Sequence, residues 1–209
     1  MTSDAITTLL SIASAALTSE PPTDIPGGPF HLRDELLAIL ADRNGFYALE
    51  GALHVLPASA GESGLIHWNS HDLWRGAYGE LADGLLFFAQ DVFGNQFALR
   101  EDGVVLFNVE TGDQELVATT LAGWAEAVRA EDYWTGWSLA HAWQVRHGAL
   151  PVGKRLLPVQ LFVLGGTFDI ANLRAVGAVD SLRFRGDVAR QIKDLPDGGR
   201  IHLRVVPHD

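Results

Sequence analysis

The stretch from residue 87 to residue 113 constrains the fold of this chain most. It reads FFAQDVFGNQFALREDGVVLFNVETGD, and turn residues at 93–95, 101–103 and 110–113 interrupt its apolar runs. Such short Gly, Asn and Asp clusters between apolar runs are typical of tight turns between paired strands. The stretch therefore predicts three short strands of an antiparallel meander, and QELVATT at 114–120 predicts a fourth.

Helical patterns surround this meander, and apolar residues at helical spacing predict helices at 5–19, 31–45, 119–134, 135–148 and 179–193. The segment 46–57 is ambiguous between helix and strand. The segment 65–84 predicts a short strand followed by a helix that Ser70 or Asp72 caps. Further strands are predicted at 161–166 and near 170–176, with a last hairpin that turns at 196–199 and ends in a strand at 200–206. This order of elements predicts an α+β fold.

The charge of the chain is strongly negative and unevenly distributed. Residues 1–137 contain 5 Lys and Arg against 20 Asp and Glu, a net charge of −15, whereas residues 138–209 contain 10 against 6, a net charge of +4. A total of −11 argues against nucleic acid or an anionic membrane as the partner. The acidic surface serves solubility alone or steers a basic partner towards the protein.

Composition also bears on the compartment and on chemistry. The chain has no Cys, which excludes disulfides, thiol nucleophiles and Cys-ligated zinc and is compatible with the cytoplasm. The uncharged run at 5–19 lacks the preceding basic residues of a signal peptide, and no segment is long and apolar enough to span a bilayer. We therefore expect a cytoplasmic protein without membrane contact.

His67 and His71, with Asp72 beside them, are the best candidates for metal ligands. On one helix, two His at i and i+4 would share a face. The sequence HWNSHD, however, lacks the Glu of an H-E-x-x-H motif and crosses the predicted strand-to-helix junction, so surface or capping histidines are the alternative. No G-x-S-x-G, G-x-G-x-x-G or phosphate-binding loop occurs. We expect no catalytic residue, cofactor or metal, and a metal-dependent hydrolase that uses the two His is kept as an alternative.

Three stretches of the chain, taken in order, resemble the SUKH superfamily. They are ELLAILADRNGFY, DGLLFFAQDVFGNQFAL and VVLFNVETGDQELVATTLAGWAEAV. The features that carry the resemblance are Asn44-Gly45 after the first helix, the turn at 93–97, and a closing helix from Thr119 to Val128. The superfamily comprises domains homologous to a yeast cell-wall-synthesis regulator, and bacteria use many of them as immunity proteins. The tail LAHAWQVRHGALPVGKRLLPVQLFVLGGTFDIANLRAV resembles a C-terminal segment of some bacterial proteins of this kind, including one associated with type VI secretion immunity.

The resemblance implies an antiparallel sheet flanked by helices and a binding role without catalysis. It covers residues 31–132, which we expect to form one domain. Residues 1–30 would then be an N-terminal helix and linker, and residues 133–209 a C-terminal helix and α+β extension packed on that domain. Many members of the superfamily neutralise a toxin that is encoded beside them.

We therefore expect an immunity protein that binds a basic toxin domain through an acidic surface. The residues expected to contribute to this partner face are Asp72, Trp74, Asp91, Glu101, Asp102, Glu110 and Asp113. A housekeeping regulatory or scaffold protein of the same fold is the alternative that the sequence leaves open.

Overall fold

A computed structural model of the chain describes residues 3–196 and 198. Six strands form one antiparallel sheet in which neighbours along the chain are neighbours in space, and two further strands form a separate hairpin. The six strands are β1 (Phe46–Ala48), β2 (Leu53–Val55), β3 (Leu86–Gln90), β4 (Gln96–Arg100), β5 (Gly103–Phe107) and β6 (Gln114–Ala118). The hairpin consists of β7 (Lys154–Pro158) and β8 (Leu173–Gly177). The predicted α+β fold is confirmed.

Helices precede, interrupt and follow the sheet. They are α1 (Asp4–Ser11), α2 (Arg33–Asp42), α3 (Leu65–Trp68), a π-helix (His71–Arg75) that continues into α4 (Gly76–Tyr78), α5 (Leu121–Ala130), α6 (Trp137–His147) and α7 (Ala178–Ile192). Short 3₁₀ turns lie at 49–51, 79–82, 132–134, 162–164 and 170–172. None of the helices within residues 3–196 combines the length and apolar character that crossing a membrane requires.

Both faces of the sheet are covered at β3, because adjacent aromatic side chains of this strand pack on opposite sides. Phe87 contacts Trp74 on one face, with ring centroids 4.9 Å apart. Phe88 contacts Trp124 of α5 on the other face, at 5.1 Å. The expected arrangement of an antiparallel sheet flanked by helices is therefore observed.

The predicted meander is confirmed in position and in pairing. β4 and β5 pair from Gln96 opposite Phe107 to Arg100 opposite Gly103. Helix α5 begins after Thr120, whose hydroxyl oxygen accepts a hydrogen bond from the Gly123 amide at 3.0 Å. Thr120 is therefore the N-cap of this helix.

Several predicted elements differ in the structure. The ambiguous segment 46–57 forms the β1–β2 hairpin, and the strand predicted at the start of 65–84 is wrong because Leu65–Trp68 is helical. The strand predicted at 161–166 is also wrong: residues 162–164 form a 3₁₀ turn closed by Gly165 at a φ of 84°. The paired strand is instead β7, which ends three residues before the start of this run. The strand predicted at 200–206 lies outside the described residues.

The C-terminal third packs against the rest of the chain. Trp143 of α6 and Leu156 of β7 share an apolar cluster with Val92 and Phe93 of the β3–β4 turn. The Arg183 guanidinium on α7 donates from Nε to the Leu73 carbonyl at 2.6 Å. Residues 137–192 therefore pack against the β3–β4 turn and the π-helix.

Gly136, which precedes α6, lies directly against the aromatic side chain of Phe93. Its φ is +64°, and a Cβ there would lie 2.4 Å from the Phe93 ring. We expect Gly136→Ala to lower the free energy of unfolding by about 2–4 kcal/mol, from backbone strain and overpacking together. Gly165→Ala is the matched control. It has a similar backbone, with its nearest neighbour 3.8 Å away, so only about 1 kcal/mol should be lost. Equal losses in urea unfolding of the two variants would contradict the close contact.

Candidate functional site

The order of the strands places two turns at the same end of the sheet. Because β3, β4, β5 and β6 alternate in direction, the turn at 91–95 and the turn at 108–113 lie side by side. The turn at 101–102 lies at the opposite end. Acidic residues in the first two turns can therefore act together, and those in the third cannot join them.

A cavity of about 790 Å³ opens at this end of the sheet. The two turns form one side of it, and the connection between α5 and α6, the segment 162–168 and α7 form the other. Five carboxylates line it: Asp91, Glu110, Asp113, Glu115 and Asp132. Four aromatic side chains line it as well: Phe93, Tyr133, Phe162 and Phe168. We call this site the acidic pocket.

The carboxylates at the mouth of the acidic pocket are held by neutral donors. Glu115 accepts a hydrogen bond from the Tyr133 hydroxyl at 2.6 Å, and Asp113 accepts one from the Thr111 hydroxyl at 2.7 Å. Asp132 accepts from the backbone amide of Ser138 at 2.9 Å. In the described part of the chain, none of the five pocket carboxylates forms an ion pair. The negative charge of the three at the mouth is therefore available to a ligand.

The aromatic wall of the acidic pocket is partly open to solvent. Phe162 and Phe168 are stacked, with ring centroids 3.9 Å apart, and Phe93 meets Phe162 edge-on at 5.4 Å. Phe168 is 67% exposed and Tyr133 is 66% exposed. Large exposed aromatic side chains beside a cavity are typical of sites where another molecule binds.

The floor of the pocket contains buried charged groups. Asp91 is 1% exposed, and its two carboxylate oxygens accept hydrogen bonds from the backbone and side-chain amides of Asn95, both at 2.8 Å. Burial raises the pKa of the Asp91 carboxyl to about 7, although these hydrogen bonds oppose the shift. Burial likewise raises the pKa of Glu110, whose Oε2 accepts from the Val163 amide at 2.8 Å.

Arg185 of α7 is the cation of the pocket floor. It is 1% exposed, and its Nη1 donates to the Phe93 carbonyl at 2.7 Å. Its Nη2 is buried without a hydrogen-bond partner. Gly94 makes room for the guanidinium, since a Cβ at that position would lie 2.7 Å from Nη2. The β3–β4 turn is thus shaped around this side chain.

The acids expected to form a partner face separate into groups. Asp91, Glu110 and Asp113 come together in the acidic pocket, but Asp91 and Glu110 are buried floor residues, so their expected place on an exposed surface is wrong. Glu101 and Asp102 are exposed at the opposite end of the sheet. Asp72 is exposed in the π-helix and does not line the pocket.

Trp74 requires a correction, because it does not lie on the surface. It is 1% exposed and packs against Trp68, Tyr78 and Phe87, with ring centroids 4.9 to 6.0 Å apart. A side chain enclosed in this way belongs to the core and offers no area to a partner.

The histidine pair gains no support as a metal site. His67 lies in α3 and His71 in the π-helix that follows, so the two do not share one helix face. His71 contacts the neighbouring Asp72 carboxylate at 3.3 Å, and both side chains are fully solvated. Within residues 3–196, no three His, Asp or Glu side chains are grouped as ligands for a metal ion.

Sequence reasoning missed Arg185 and the aromatic wall. A signal for Arg185 exists in the sequence of α7, where Ala178, Leu182, Arg185 and Ala189 follow one another at helical spacing and are all buried. A charged residue in such an apolar stripe indicates a buried functional or structural site. Tyr133, Phe162 and Phe168 carry no comparable local signal, since only tertiary packing brings them to the sheet.

Comparison with known proteins identifies the fold and not the function. No protein-family model matches the chain, and no curated protein matches it significantly. Among solved structures, the crystal structure of Atu4351 from Agrobacterium tumefaciens is similar, with a TM-score of 0.53 and 15% sequence identity. The similarity covers 85% of this chain and 86% of the other. The two proteins therefore share an architecture over most of their lengths.

Proposed function

We propose that this chain is a non-catalytic protein-binding module, and that the acidic pocket receives a basic segment of a protein toxin which the chain neutralises. The observation that carries this proposal is the combination of five carboxylates without ion pairs and four aromatic side chains around one solvent-open cavity. A Lys or Arg side chain suits such a site because its stem packs on aromatic rings while its cation faces the carboxylates.

Electrostatics supports a basic protein rather than a nucleic acid as the partner. Asp113 and Glu115 are exposed at the mouth of the pocket and would repel phosphate groups. The net charge of −15 over residues 1–137 would steer a basic protein towards this part of the molecule. The resemblance to SUKH immunity proteins supports the same role, and we propose that the protein acts in the cytoplasm, where it would meet a toxin that acts inside the cell.

Reversing charge at the mouth of the pocket tests this proposal. We expect Asp113→Lys with Glu115→Lys to weaken binding of a basic partner at least about tenfold at low salt, because lost attraction becomes repulsion. The matched control is Asp72→Lys with Glu101→Lys, which changes the net charge equally at exposed sites outside the pocket. The partner would be captured from the organism's own lysate with each tagged variant and identified by mass spectrometry.

The outcomes separate the pocket from a general charge effect. Capture by the control variant but not by the pocket variant supports the pocket. Equal loss in both variants means that only overall charge attracts the partner. A second assay tests neutralisation: expression of the captured partner alone should stop growth, and co-expression of this chain should restore it. If expression of the captured partner does not stop growth, the toxin hypothesis is wrong and the housekeeping scaffold alternative takes its place.

A further inference from the structure

The two edges of the six-stranded sheet differ in how they are covered. β1 is one edge, and the N-terminal segment closes it: the Ser14 amide donates to the Tyr47 carbonyl at 2.7 Å, and the Tyr47 amide donates to the Ser14 hydroxyl oxygen at 3.0 Å. β6 is the other edge, and no other strand within the described residues pairs with its outer side. The unpaired N–H and C=O groups of such an edge can bond to a strand of another molecule.

The hydrogen bonds between β5 and β6 determine which backbone groups of β6 face outwards. The Asn108 amide donates to the Asp113 carbonyl at 2.8 Å, so these opposite residues form a hydrogen-bonded pair. Hydrogen-bonded and non-bonded pairs alternate along an antiparallel ladder, so Glu115 also bonds to β5. Gln114 and Leu116 therefore direct their N–H and C=O groups away from β5, where an additional strand can bond to both residues.

The two faces of β6 are exposed and differ in chemical character. Asp113 and Glu115 lie two residues apart, so they share the face that lines the acidic pocket. Leu116 points to the opposite face and is 45% exposed. A strand added beside β6 continues this alternation, with every second side chain next to the two acids and the others next to Leu116. Basic residues that alternate with apolar residues suit both faces.

Charge favours a basic partner strand over a second copy of this chain. If two copies paired through β6, Asp113 and Glu115 of one copy would lie close to the same acids of the other, and like charges across paired strands are destabilising. The net charge of −15 over residues 1–137 would add to this repulsion. A basic segment is attracted by the same groups.

We infer that the partner contributes an extended segment, in which basic and apolar residues alternate, and that this segment pairs with β6 as an additional strand of the sheet. Its backbone bonds to Gln114 and Leu116, and its basic side chains reach the carboxylates at the mouth of the acidic pocket. This inference rests on the proposed function and adds the form in which the basic segment binds. In such an arrangement backbone pairing supplies affinity and the alternating side chains supply specificity.

Fluorescence anisotropy of a labelled peptide tests the inference on the full chain at low salt, with acetyl-KVKVKVK-amide as the probe. Two N-methylated forms are the matched ligands, one methylated on all valine amides and one on all lysine amides. Each blocks hydrogen bonds on one edge of the peptide, because alternate residues of a strand bond to opposite sides. We expect saturable binding of the unmethylated peptide. We also expect at least about tenfold weaker binding of the methylated form that is blocked towards β6 than of the other form.

Two outcomes of the peptide experiment would overturn the inference. Equal affinities of the two methylated peptides would mean that neither edge of the peptide pairs with the sheet. Absence of saturable binding of the unmethylated peptide would mean that β6 does not accept a basic strand.

Leu116→Pro tests the same pairing from the side of the protein. It removes an outward N–H that pairing with β5 does not use, and proline is tolerated at such positions of edge strands. Leu116→Ala is the matched control, because it shortens the same side chain and keeps the N–H. We expect the proline variant to bind the unmethylated peptide at least about fivefold more weakly than the alanine variant. Urea unfolding confirms that both are folded, and equal affinities of the folded variants would contradict the pairing.

The peptide acetyl-EVEVEVE-amide separates this inference from the proposed function, because it keeps the backbone and reverses the charge. If the two methylated lysine peptides bind equally and the glutamate peptide does not bind, the acidic surface attracts a basic segment without strand pairing. Only this inference is then wrong. If the glutamate peptide binds as tightly as the lysine peptide, the preference for a basic partner is wrong, and the proposed function loses its electrostatic basis.

Discussion

Replacing Trp74 with alanine is expected to lower the free energy of unfolding by about 3–5 kcal/mol, because the change removes a large buried side chain and leaves a cavity. Trp74 touches aromatic rings of α3, α4 and β3, so the cavity would open between the sheet and the helices on one of its faces. Urea unfolding followed by circular dichroism measures the loss.

Two further variants sharpen this prediction. Trp74→Phe should cost less than the alanine change, because it keeps much of the packing and removes an indole N–H that is buried without a partner. Trp137→Ala is the matched exposed control; Trp137 is 41% exposed, and about 1 kcal/mol or less should be lost. Near-normal stability of Trp74→Ala together with weaker partner binding would restore Trp74 as a surface anchor.

The second large effect concerns pH and the buried Asp91 carboxyl. Its pKa of about 7 in the folded protein lies above the ordinary value of 3.8. The folded state therefore binds the proton more tightly than the unfolded state does between these two values. Stability consequently falls as pH rises from about 4 to about 7, by up to roughly 4 kcal/mol for a shift of this size.

The difference between the wild type and Asp91→Asn isolates this carboxyl from other titrating groups. Asn stays neutral, so the stability of the wild type relative to the variant should fall as pH rises from 4 to 7 and then level off. Burial lowers the pKa of His54. Its titration affects the stability of both proteins alike, so this contribution cancels in the comparison. A difference that stays flat across this range would mean that Arg155 and Arg185 keep Asp91 ionised at ordinary acidic pH.

The meander could be read from sequence because its signals are local. Gly94 and Gly103 have positive φ values of 85° and 150° at the turns where the sequence predicts them. Apolar runs of five residues between such turns leave few alternatives to paired strands. The turn that contains Gly94 carries Asp91, and the turn at 108–113 carries Glu110 and Asp113, so antiparallel pairing was enough to bring these three acids to one end of the sheet.

The elements that were mispredicted depend on tertiary context. The run LFVLGG at 161–166 has the composition of a strand, yet it forms a 3₁₀ turn whose Phe162 packs on Phe93. β7 reads KRLLP and contains Arg155, which is buried against the Tyr47 ring at 5.7 Å. Two basic residues and a proline hid this strand, because local propensity gives no weight to its pairing with β8 or to the burial of Arg155 against a ring about a hundred residues away.

Trp74 and Arg185 illustrate the same limit at the site. A Trp beside charged residues was expected at a surface, and no role was predicted for Arg185. In each case the burial follows from how α7 and the π-helix pack on the sheet. Burial of this kind depends on where a helix lies, and that position cannot be read from the helix sequence alone.

The association rate of the captured partner as a function of salt tests directly whether the acidic pocket is the binding site. It would be measured for the wild type, the Asp113→Lys, Glu115→Lys variant and the Asp72→Lys, Glu101→Lys control, at about 20 mM and about 300 mM salt. We expect the pocket variant to associate at least about tenfold more slowly than the control at low salt, and the difference to shrink at high salt. Equal rates for the two variants at both salt concentrations would contradict the claim that the acidic pocket is where the partner binds.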